Sequence, residues 1–189
     1  DVRVWEVKDK GTGSYRGLFF GDYFARPNKR SGAWASTYQE HETFTGKTVT
    51  VVTSNNNNFV RGAASEPILI SVDDAETLFH EFGHGLHHML TRVDYPSVAG
   101  INGVPWDAVE LPSQFMENFA WRDEVLPLIS AHVETGEPIP EELVRRLDEA
   151  EEFGKGLTVR QQMFYAAVSL ELHRRDPEGL DTTALVAGL

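Results

Sequence analysis

Over the first seventy residues the chain alternates between apolar and polar positions. In "VRVWEV" (2–7) the two kinds take turns, and "YRGLFFGDYFA" (15–25) does so less cleanly. A period of two puts every second side chain on one face of an extended strand. The intervening "KDKGTG" is turn-forming, so the two runs predict a β-hairpin. "KTVTVVT" (47–53), rich in β-branched residues, predicts another strand, and "PILIS" (67–71) a short buried one; "SNNNN" (54–58) between them reads as a polar loop. From residue 73 the period becomes helical. Leu78, Phe79, Phe82, Leu86, Met89 and Leu90 form apolar faces with no proline from 73 to 90, and Asp73 or Asp74 with Glu76 offers a capping box. "TRVDYPSVAGINGVP" (91–105) is a Pro- and Gly-punctuated loop, and one helix runs through "SQFMENFAWRDEVLPLI" (113–129), starting close to Pro112. Two more follow. One opens at Pro140 and stops at Gly154; the other starts at Thr158, with Gln161 completing a capping box, and ends before Pro177. The fold class is α+β, mostly α, with a strand-rich part at 1–72 and a helical part at 73–189. No internal repeat, low-complexity linker or domain boundary stands out.

Composition changes this picture little. A length of 189 residues suits one sizeable core. The net charge of −12 speaks against a general nucleic-acid binder, which needs a basic face. The chain has no cysteine, which removes disulfides and thiolate metal ligands. No apolar run approaches the ~20 residues of a membrane span, and no membrane partner is expected. A cytoplasmic location is expected, although the lack of cysteine suits many secreted proteins equally. The chain opens at Asp1 with no signal-peptide pattern and stops at "TTALVAGL", and both ends read as cut from something longer.

The chemistry is concentrated in "HEFGHGLHH" (80–88). At about 100° per residue, His80 and His84 point within ~40° of each other, one turn apart. Two isolated histidines on a half-exposed helix are ordinarily just polar surface residues. Here Glu81 stands between them, where it can reach a metal-bound water without ligating the metal. A catalytic zinc takes three protein ligands and keeps one position open. Among Asp107, Glu110 and Glu117 on the next segment, spacing leaves Glu110 and Glu117 equally placed as the third ligand. Asp107 is placed to orient a ligating imidazole.

The stretch from "TLFHEFGHGLHHML" through "VELPSQFMENFAW" resembles the catalytic core of the thimet oligopeptidase family of zinc metallopeptidases, and the likeness extends from "DVRVWEV" to "ETGEPIPEEL". The resemblance implies a zincin-like core of the gluzincin type, a small N-terminal sheet followed by a helical bundle. It makes His80, His84 and Glu110 the ligands of one Zn²⁺ per chain, Glu81 the catalytic base and Asp107 an outer partner. It also puts the "GINGVP" loop (100–105) near the cleft, and it makes short peptides the substrates. The chain departs from the family pattern in two ways. It lacks the N-terminal helical half that narrows the family's channel, and nothing after Gly179 matches the family's tyrosine-rich "GYYSY"-like segment. A zinc-binding fragment that does not turn over is therefore the competing expectation. Neither the residues nor the resemblance specifies an oligomeric state.

The remaining residues receive plainer readings. His87, seven positions after His80, borders the possible substrate cleft with Gly100 and Gly103, whereas His88 points elsewhere and is expected at the surface. His41, His132 and His173 read as surface or core-edge residues, and "ARPNKR" (25–30) as a solvated turn. Phe115, Phe119, Trp121 and Tyr165 read as core. An extended substrate is expected to pair with the "TVTVVT" strand.

Overall fold

A computed structural model describes residues 2–63 and 65–189. The predicted hairpin forms: β1 (Arg3–Lys8) pairs antiparallel with β2 (Tyr15–Phe24). Asp9 fixes its turn by accepting hydrogen bonds from the backbone N–H groups of Gly11 and Thr12 and from the Thr12 hydroxyl. Those from Thr12, with Arg16 beside them, bring the Asp9 carboxyl down to about 2. Two further strands, β3 (Trp34–Gln39) and β4 (Val51–Phe59), complete a sheet of order β1-β2-β4-β3. β4 runs parallel to β2 and antiparallel to β3, so the sheet is mixed.

Three expectations about strands are overturned. Residues 54–58, read as a loop, are the second half of β4. Asparagine disfavours strands because its amide competes with the ladder. Here pairing on both sides overrides that preference, and the amides bond outward instead. Asn55 donates to Leu78 O, Asn56 to Trp34 O, and Asn58 to the carbonyls of Arg30 and Gly32. Residues 67–70, read as a buried strand, lie outside any strand, and Ile68, Leu69 and Ile70 are exposed. No neighbouring strand pairs with them among the described residues, and an unpaired strand has no ladder to hold it. The "TVTVVT" segment is not a free edge either, because β4 is enclosed by β2 and β3 while Val49 bridges to Glu42.

The basic cluster at 25–30 does form a turn, but Lys29 is not solvated: its side chain is 3% exposed. The ammonium donates to the carbonyls of Asp22, Phe24 and Asn57 and pairs with the Asp22 carboxylate. A lysine is buried only when its donors are met this way, and here they tie the end of β2 to β4.

Helix α1 (Val72–Met89) lies on the sheet. Its cap is Ser71, two or three residues earlier than the expected Asp73 or Asp74. Asp74 N–H donates to Ser71 Oγ and Ser71 N–H to Asp74 Oδ2, a reciprocal box that satisfies two otherwise unpaired donors. Phe82, Leu86 and Met89 pack on Phe19 and Val51, with the Phe19 and Phe82 rings edge to face at 5.1 Å. The predicted second helix divides into α2 (Leu111–Ala120) and α3 (Leu126–Ile129). Pro127 explains the restart, because a residue without an N–H is tolerated in the first turn of a helix but not in its interior. Phe115, expected in the core, is 62% exposed, and Phe119 is exposed beside it, with the rings edge to face. Trp121 is half-buried, with its indole N–H donating to Glu76.

The chain separates into two compact units, residues 1–138 and 139–189. The change from strands to helices near residue 72 falls inside the first. The second unit holds α4 (Glu141–Glu152), α5 (Lys155–Arg174) and α6 (Thr182–Ala187). Gly154, at φ +76°, links α4 to α5, so α5 begins three residues before the expected Thr158 cap. Tyr165, expected in the core, is exposed, and no residue of α5 is buried. The α+β class holds. No described helix is long and apolar enough to cross a membrane.

Candidate metal centre

One turn of α1 separates His80 from His84, and their rings stand edge to face with centroids 5.1 Å apart. α2 brings the third group. Glu110 is its N-cap residue, and the Glu110 Oε2 atom lies 3.2 Å from His80 Nε2 and 3.1 Å from His84 Nε2. The close approach of the two helices depends on Gly83. A Cβ built there would fall 2.6 Å from Ser113 Cα and 2.7 Å from Pro112 O. Ser113, fully buried, donates its hydroxyl to Glu110 Oε2 at 2.8 Å and so aims the carboxylate at the imidazoles.

One nitrogen from each of His80 and His84 and one carboxylate oxygen of Glu110 lie within 4.8 Å of one another, so the three could hold a metal ion. Two donors held at ~2.0–2.1 Å from one tetrahedral Zn²⁺ are themselves about 3.3 Å apart, close to the two separations seen here. A cation requires neutral imidazole and ionised carboxylate, and the shifts of His84 and Glu110 run in those directions. Burial pushes His84 below the ordinary histidine range despite the opposing pull of Glu110. Burial alone would raise Glu110, but the Ser113 hydroxyl and the two histidines together hold it below the usual carboxylate value. The residues fit the metal that the sequence implies.

Glu117 also reaches the site, in a different role from the one weighed for it. Its Oε1 is 2.6 Å from His80 Nδ1, on the side of the ring away from Glu110. An acceptor there keeps the proton on Nδ1 and leaves Nε2 free to ligate. Asp107, expected in such a role, is exposed and has no hydrogen bond or ion pair among the described residues. The signal for Glu117 was available: it follows Glu110 by seven residues, about two turns, and so shares a face of α2 with it.

Glu81 lies outside the group formed by His80, His84 and Glu110, 8% exposed, with the Ala35 backbone of β3 against its carboxylate. Burial raises its carboxyl above the ordinary range, and the nearby His80 opposes the shift. His87 and Gly100 line an apolar cavity of about 560 Å³ with Leu86, Val98, Val104 and Phe115, whereas Gly103 is not among its walls. His88, expected at the surface, is 2% exposed. At about 80° from His80 around the helix, its ring turns toward the end of β3 and meets the Glu40 carboxylate at 3.0 Å.

Comparison with known proteins agrees with the resemblance read from the motifs. The model of Peptidase family M3 matches residues 1–187. Oligopeptidase A of Escherichia coli K12 is 46% identical over 177 residues, covering 92% of this chain and 25% of that protein. The probable cytosolic oligopeptidase A of Arabidopsis thaliana is 40% identical over 188 residues, covering 96% and 27%. Dipeptidyl carboxypeptidase of Escherichia coli K12 is 38% identical over 194 residues, covering 99% and 28%. The chain thus spans about a quarter of the length of the curated relatives it matches. With a family match that runs nearly end to end, and with the histidine pair and the glutamate motif meeting at one point, the chain belongs to Peptidase family M3.

Proposed function

We propose that the chain carries the zinc centre of a metallopeptidase that hydrolyses peptide bonds in short oligopeptides. The observation that supports this most directly is the convergence of His80, His84 and Glu110, with Glu81 on the same turn of α1 but outside the ligand set. A purely structural metal site would have no use for Glu81. His80, His84 and Glu110 would hold the ion through two imidazole nitrogens and a carboxylate oxygen, a set that suits zinc. When bound, zinc supplies Lewis acidity, polarising the scissile carbonyl and acidifying a water. Glu81 would take a proton from the attacking water and return it to the leaving amine, a double use suited to a carboxyl whose proton affinity is raised by burial. Ser113 and Glu117 fix the orientation of Glu110 and His80. The substrate lies along the outer edge of β3, not along β4: β3 is an edge strand, its Ala35 backbone faces Glu81, and an exposed edge offers the N–H and C=O groups that an extended peptide needs. A cytoplasmic location accords with the Arabidopsis relative named a probable cytosolic oligopeptidase A.

The test combines metal analysis with cleavage of internally quenched short peptides by the zinc-loaded chain. Hydrolysis that is abolished by a chelator and restored by zinc is the expected result; hydrolysis unaffected by chelation would refute the proposal. Stoichiometric zinc without hydrolysis would favour the second reading, a metal-binding portion of an enzyme that needs more of its polypeptide. That reading draws on the quarter-length coverage of the relatives. Within the site, Glu117→Gln should weaken zinc binding about 10–100-fold, as loss of an outer partner does, while Asp107→Asn leaves it unchanged. Competition against a chromogenic chelator measures both.

A further inference from the structure

We propose that Glu40 is a positioning residue of the metal centre, one that locks the substrate-side strand, the metal helix and the loop leading to the third ligand into a single arrangement. This rests on the metal reading above and extends it to a residue that meets α1 at His88, one helical turn beyond His84. Glu40 directly follows β3. One of its carboxylate oxygens, Oε2, meets His88 Nδ1 at 3.0 Å, and the other, Oε1, accepts from Asn102 Nδ2 at 2.9 Å. His88 is four residues after His84 on α1, about 6 Å along the axis. Asn102 sits in the loop that runs on to Glu110, and its amide also donates to Pro96 O at 3.0 Å, closing the loop on itself. One carboxylate with a side chain only 21% exposed therefore joins all three elements that build the site.

The surroundings leave this joint little freedom. Gly100 has φ +58°, and a Cβ there would fall 2.0 Å from His88 Nδ1, so the loop backbone rests directly on the imidazole. Further along, His41 Nδ1 meets Val93 O, Thr43 N–H donates to Asp94 O, and the Phe44 and Tyr95 rings stack at 5.6 Å. Those contacts are on the exposed side and tie the segment after β3 to the 93–95 stretch. Of this set, only the Glu40 contact also engages α1. Charge-assisted hydrogen bonds in a largely buried setting are the strong kind, and a ligand carboxylate is only as well placed as the chain that delivers it.

The experiment uses the 189-residue chain with Glu40→Ala, Glu40→Gln and Asn102→Ala. Two readouts are taken: amide hydrogen exchange of residues 99–104 without metal, and the visible d–d spectrum and chelator-competition constant with Co²⁺. In Glu40→Ala, exchange in the loop should accelerate about tenfold, the equivalent of losing one or two net hydrogen bonds. Its cobalt band should shift, and its cobalt affinity should fall by about tenfold or more. Glu40→Gln keeps one acceptor oxygen but sets its NH₂ group against the other donor, so it should show the same changes as Glu40→Ala to a smaller extent. Asn102→Ala cuts only the loop arm and should reproduce the exchange and spectral changes, which keeps the test decisive if Glu40→Ala does not fold. A folded Glu40→Ala or Asn102→Ala with the wild-type cobalt spectrum and wild-type loop exchange overturns the proposal. Cobalt uptake by wild type with unmoved variants refutes this inference alone, whereas no uptake by wild type refutes the metal reading and this inference with it.

Discussion

Glu81→Gln is expected to bind zinc as tightly as the wild-type chain and to cleave peptides about 10²–10⁴-fold more slowly, the range that general acid–base catalysis supplies. Glu81 lies outside the group of His80, His84 and Glu110 atoms within 4.8 Å of one another, so the substitution removes no ligand. It does remove the proton acceptor, because an amide cannot take a proton from water at any working pH. The pH dependence follows from the same carboxyl. Burial moves the loss of the base form to higher pH in the metal-free chain, while a bound cation moves it lower, so the acid limb of the zinc-loaded rate profile reports the balance of the two. Stability moves in the opposite sense. A carboxyl whose folded-state pKa is raised favours folding below its unfolded pKa and loses that contribution as pH rises through the raised value. Without metal at neutral pH, the buried ionised Glu81 therefore opposes folding, and the glutamine variant should melt no lower than wild type. Zinc titration, a pH series of initial rates and a thermal melt check the three statements. A variant that keeps wild-type turnover would exclude Glu81 as the base, and one that loses zinc would show that the residue supports the site structurally.

The parts of the site legible in the sequence were those carried by a single helix. His80, Glu81 and His84 relate to one another through the helical period alone, and the structure places them as that period requires. The third ligand was ambiguous for a physical reason. Glu110 and Glu117 are about two turns apart on one face of α2, so both reach α1, and only tertiary placement divides them into a partner for the two Nε2 atoms and a partner for Nδ1. β4 misled because asparagine content reports a local preference, while strand identity there is imposed by pairing with β2 and β3. Lys29 misled similarly: a cation in a turn is ordinarily solvated, and nothing local shows that three carbonyls from two strand ends enclose it. The Glu40 joint had no local signature at all, since its partners lie 48 and 62 residues away.

Gly83→Ala is expected to destabilise the chain and weaken its metal site, although helix propensity alone predicts the reverse. In the interior of α1, alanine should gain up to about 1 kcal/mol over glycine. Against that gain stands the contact with α2, where the added carbon would lie 2.6 Å from Ser113 Cα, 2.7 Å from Pro112 O and 3.0 Å from Ser113 N. These are all backbone atoms, so no rotamer change relieves the overlap and the helices must separate. Overpacking of this kind costs about 1–3 kcal/mol, enough to outweigh the propensity gain and leave a net loss. The shift also falls on the wrong turn for function. Ser113 orients Glu110 Oε2 at 2.8 Å, so moving that turn pulls Glu110 away from His80 and His84, and on the proposed ligand set zinc affinity should fall further than stability does. Gly85, two residues on in the same helix, is the control. A Cβ there meets Phe19 Cε2 at 3.5 Å, ordinary van der Waals contact, so Gly85→Ala should keep the propensity gain and wild-type zinc binding. Denaturant midpoints and zinc competition on the two variants decide the matter. Equal stabilisation of both would mean that α1 and α2 do not pack as closely as the ligand geometry requires.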